Sequence, residues 1–87
     1  MGSPQLRWNP GTDPIWAELS DALDKAMTKH APMNSPHEGW SVIFEELEEL
    51  REHVRADHGT GTDARKEAIQ VAAMGLRYAL DLTERPR

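Results

Sequence analysis

Apolar positions recur at helical spacing in three separate runs, and no stretch alternates apolar and polar over a convincing strand length. The first run is Ile15, Trp16, Leu19, Leu23, Ala26 and Met27. Asp13 stands before it as an N-cap, with Pro14 at the first helical position, so a helix is predicted from there to about His30. APMNSP at 31–36 breaks the pattern. Ser35-Pro36-His37-Glu38 then reads as a capping box, in which the Ser35 hydroxyl takes the Glu38 amide and the Glu38 carboxylate reaches back to the amide of Ser35. The second helix carries Trp40, Ile43, Phe44, Leu47, Leu50 and Val54 on one stripe, with Trp40 expected in the core, and ends near His58-Gly59.

HGTGT at 58–62 is a turn, after which Thr62 or Asp63 is expected to cap a third helix running to about Thr83. That helix is apolar on two sides. Ile69, Ala72, Ala73, Leu76 and Leu80 lie on one, and Val71, Met74, Tyr78 and Leu82 nearly opposite. A helix of this kind is buried on both sides. Two partner helices in one chain do not easily cover it, so the expected fold is an all-α bundle of three main helices completed by a second subunit. Gly75 costs about 1 kcal/mol in a helix interior, and close approach of another helix is the expected reason for it. The organisation is an irregular arm over 1–12, containing Pro4, Pro10 and Gly11, followed by one helical domain over 13–87.

Composition narrows the functions. The net charge is −5 and the basic residues are scattered, whereas a nucleic-acid polymer requires a positive stripe. The absence of cysteine excludes disulfides, thiolate zinc sites and cysteine nucleophiles. His30, His37, His53 and His58 lack the spacing of a zinc set. No apolar run reaches the roughly 18 residues that span a bilayer, and MGSPQL lacks the regions of a signal peptide. A cytoplasmic protein without a membrane partner is expected.

FEELEEL at 44–50 then stands out, because it crowds carboxylates onto a helix that also builds the core. Glu46 and Glu49 are three apart and project from neighbouring turns of one face, where unpaired carboxylates repel. Glu67 lies early in the third helix, on the strip between its apolar faces, with Gln70 one turn on. A short turn makes the second and third helices antiparallel, which brings residues near 48 and 68 to the same height. Two i,i+3 pairs would then face each other as oxygen ligands for a hard cation such as magnesium. Otherwise the segment is a solvated acidic face and Glu67 a favourable acid in a first helical turn. Lys66, Arg65 and Arg77 are the basic residues placed to meet phosphates, or else solvated helix flanks.

EELEE at 45–49 and Glu67-Ala-Ile-Gln70 resemble the paired-carboxylate signature of the MazG-like nucleotide pyrophosphohydrolases, which show EExxE on one helix and ExxD on the next. The flanks NSPHEGWSVIFEELEEL and RKEAIQVAAMGLRYALDL are similar to small phage and bacterial members, and the resemblance covers about residues 28–82. It implies an all-α fold, a dimer or larger assembly, and magnesium-dependent hydrolysis of nucleoside triphosphates to monophosphate and pyrophosphate, with manganese as an alternative ion. It assigns Glu46, Glu49 and Glu67 as metal ligands and gives Glu45 the task of orienting the attacking water or assisting at the cation. Gln70 stands where the family has Asp; it supplies an amide oxygen without charge, which implies weaker metal binding and reduced activity. The alternatives are a catalytically inactive nucleotide-binding or regulatory module and a helical protein whose acidic face meets a basic partner.

Overall fold

The computed structural model describes residues 13–84, the side chain of Asp57 excepted. The expected arm over 1–12 lies outside these residues. Three α-helices follow one another: α1 (Pro14–Lys29), α2 (Pro36–Asp57) and α3 (Thr62–Tyr78). There is no strand among the described residues, and the protein is an all-α three-helix bundle.

The helix starts follow local chemistry. The Asp13 carboxylate accepts from the Ile15 amide at 2.8 Å, and the Ser35 hydroxyl accepts from the Glu38 amide at 3.1 Å. The second half of the expected capping box is displaced by one residue: the Glu38 carboxylate takes the amide of Asn34 rather than that of Ser35. At α3 the cap is Gly61, with no side-chain hydrogen bond, so Thr62 and Asp63 stand inside the first turn. There Asp63 complements the positive end of the helix dipole. The turn between α2 and α3 places His58 and Gly59 in the left-handed region, at φ 69° and 75°. A Cβ on Gly59 would also sit 2.8 Å from Val54 Cγ2. Beyond Tyr78 the chain widens into a π-helical turn, Ala79–Glu84.

The central helix is α3, packed on both α1 and α2. Glu18 pairs with Arg65 near one end of α1, and Arg77 reaches Ala31 just past the other, so α1 and α3 run parallel and α2 antiparallel to both. Small residues let α1 and α3 approach: Ala22, Ala26 and Ala73 form the core with Met74, and Leu19, Leu23, Val42, Ile43 and Ile69 pack around them. A buried clasp closes the far end. Arg77 lies 3.7 Å from Asp81 and donates to the Ala31 carbonyl at 2.9 Å. Asp81 in turn accepts from the Met33 amide at 2.9 Å. The loop between α1 and α2 is thereby pinned to the π-helical turn.

Three expectations change. The two apolar sides of α3 are covered in part within one chain: Ala73 and Ile69 pack in the core beside α1 and Met74 and Leu82 are buried, while Ala72, Leu76 and Leu80 stay exposed. Among the described residues, further exposed apolar surface lies on Ile15 and Trp16 of α1 and on the outer side of α2. Trp40 is 57% exposed rather than in the core, and Phe44, Leu47 and Val54 are exposed with it, whereas Val42 and Ile43 point inward. Trp40 and Phe44 lean on each other with ring centroids 5.4 Å apart. The glycine that permits close approach is Gly39, where an added Cβ would run into the Tyr78 ring, 2.8 Å from Cε2, and Leu82; Gly75 faces open space.

Candidate metal centre and adjoining groove

Glu46 and Glu49 face α3 from successive turns of α2, and Glu67 meets them from the second turn of α3. One carboxylate oxygen from each of the three lies within 4.8 Å of the others. The short turn at 58–61 is what sets this register, since both helices count outward from it. Glu46 and Glu67 are half-buried and Glu49 is exposed. Oε2 of Glu67 is buried with no hydrogen-bond partner among the described residues, an arrangement that costs free energy unless a hydrogen-bond donor or a cation completes it.

The electrostatics carry the same strain. Burial, and then contact with Glu49 and Glu67, push the Glu46 carboxyl from 4.5 up to about 7. Glu67 is raised too, first by burial; the Glu49 charge adds to the rise, while a hydrogen bond with Glu46 and the nearby His53 oppose it. Glu48 and Glu52 lie 3.8 Å from Arg51 and 4.0 Å from Arg55, in exposed pairs of small energetic weight. Three hard oxygen donors, one buried and unpartnered, fit a divalent cation of the magnesium type.

A groove of about 500 Å³ runs between α1, α2 and α3, with Glu46 in its lining. Glu45, Gln70 and Arg77 line it together with Glu46. Gln70 is thus beside the acids but on the groove side. Arg77 is only 6% exposed, and its guanidinium is engaged with Asp81 and Ala31, so its contribution to the wall is structural. Lys66 lines a neighbouring hollow of about 180 Å³ that shares Ala22, Lys25 and Gln70 with the groove. Arg65 points to Glu18. Sequence reasoning missed the wall formed by the lysines Lys25 and Lys29, with His30 beside them. The signal was present: Lys25 and Lys29 are four apart and each lies three residues after an alanine of the packing stripe, Ala22 or Ala26.

Comparison of the chain with profiles of protein families, with curated proteins and with solved structures finds no match. No helix among the described residues is long and apolar enough to cross a membrane.

Proposed function

We propose that this protein is a MazG-like nucleoside triphosphate pyrophosphohydrolase that uses magnesium, or manganese in its place, held by Glu46, Glu49 and Glu67. The observation that carries the reading is the convergence of three carboxylates from two helices, one of which, Glu46, also lines a groove of about 500 Å³, a size typical of small-molecule sites. When bound, such a cation draws charge from phosphate oxygens. Glu45, on the groove wall next to Glu46, is placed to orient a water for attack on phosphorus. The phosphoanhydride bond breaks, and nucleoside monophosphate and pyrophosphate leave. Gln70 lowers the activity, because it brings an amide where the resembling family brings a fourth charge. The exposed row Trp40, Phe44, Leu47 and Val54 supports a homodimer formed through the outer side of α2. With nucleoside triphosphates as its substrate, the protein would work in the cytoplasm.

Calorimetric titration with magnesium, followed by assay of pyrophosphate release from a nucleotide panel, tests the proposal. Turnover in the wild-type protein and its loss in Glu49→Ala support it, and absence of magnesium binding overturns it. Gln70 favours a second reading, a nucleotide-binding module without turnover. Nucleotide binding with no pyrophosphate release selects that reading, and restored release in Gln70→Asp identifies the missing charge as the reason.

A further inference from the structure

The groove has walls of opposite sign. Glu38, Glu45 and Glu46 line it from α2, while Lys25 and Lys29 of α1 and His30 just beyond line it from the other side. The floor between them includes Ala22, Ala26, Val42 and Met74. Such a section does not suit a simple anion, which the acidic wall repels, nor a simple cation, which the basic wall repels. It suits an anion that carries its own divalent cation, with the metal toward Glu46 and the anionic chain along the lysines.

We infer that Lys25 and Lys29 are the phosphate-binding residues of the groove, and that the moiety they recognise is the polyphosphate chain of a metal–polyphosphate complex. The inference rests on the metal site proposed above and deepens it by assigning the substrate contacts to α1 instead of Lys66 and Arg77. Both lysines are available. Lys29 is exposed. Lys25 lies 3.1 Å from Asp21, one turn back on its own helix, in a pair whose two side chains are 76% and 65% exposed. An exposed i,i+4 pair of this kind is weak and yields readily to a phosphate oxygen. Arg77 is held by the clasp, and Lys66 opens into the smaller hollow. The acidic wall makes the order obligatory, so the polyphosphate binds only with its cation.

Isothermal titration of the full chain with inorganic tripolyphosphate, with and without saturating magnesium, tests this. Magnesium alone is titrated into the wild-type protein and into Lys25→Gln/Lys29→Gln. The expected result is tripolyphosphate binding that requires magnesium and weakens by about tenfold or more in the double variant. Magnesium affinity stays unchanged, and Lys25→Arg/Lys29→Arg keeps most of the tripolyphosphate affinity. Both lysines are exposed, so circular dichroism of the variants matches the wild type. If magnesium binds but tripolyphosphate binds wild type and double variant alike, the lysine assignment is overturned while the metal site stands. Failure of the wild-type protein to bind either magnesium or tripolyphosphate overturns both.

Discussion

At the scale of single residues, Glu46 decides how the site responds to pH. Its carboxyl is raised from 4.5 to about 7, so between these values the folded protein holds a proton that the unfolded chain releases. Stability of the metal-free protein therefore falls as pH rises through this window, with the full cost present above about 7. Thermal melts in chelator are expected to give a lower Tm at pH 8 than at pH 5.5, and magnesium is expected to restore Tm most at pH 8. Glu46→Gln removes the buried charge and keeps the shape. It is expected to raise the metal-free Tm at pH 8 while weakening magnesium binding by about tenfold or more, since one charged ligand is lost. A merely solvated acid at this position would show neither effect. The acid cluster was legible in the sequence because two rules sufficed, i,i+3 adjacency on a helix and equal counting from a short turn. The lysine wall was not, because Lys25 and Lys29 look like any solvated flank until the third helix is placed beside Ala22 and Ala26.

At the scale of helices, side-chain caps fix where α1 and α2 start, and Asp13 and Ser35 act as their residue types suggest, whereas α3 starts at Gly61 without one. Their faces were harder to read. Apolar residues on α2 occupy more than half of its circumference, and periodicity does not tell which half is covered when both are apolar. Ile43 and Leu47 share a stripe in the sequence, but only the former turns to the core. The glycines were ambiguous for a related reason: a glycine reveals that a side chain is missing, not what has taken its place. Substitution separates the two cases. Gly39→Ala forces a Cβ into Tyr78 and Leu82 and is expected to destabilise by about 1–3 kcal/mol. Gly75→Ala meets nothing and is expected to stabilise by up to about 1 kcal/mol through helix propensity. Urea denaturation of the two variants measures both, and equal effects would contradict the packing described.

At the scale of the molecule, a three-helix domain this small leaves much of its apolar surface in water, and the outer row of α2 is one place where it does so. Phe44→Lys puts a charge in the middle of that row without touching the core. Light scattering is expected to give about twice the 9.8 kDa chain mass for the wild-type protein and the single chain mass for the variant, with helicity retained. A variant that keeps the wild-type mass would move the interface elsewhere. The two walls of the groove also have different mechanical supports. All three clustered acids belong to one hairpin, α2 and α3 with the short turn between them. The lysines ride on α1, which is fastened by small alanine contacts, a surface ion pair and the clasp at its far end. Breathing of that outer rod would change the distance between lysines and acids and leave the spacing of the carboxylates as it was, so the proposed anion grip and the proposed metal site rest on separate parts of an 87-residue chain.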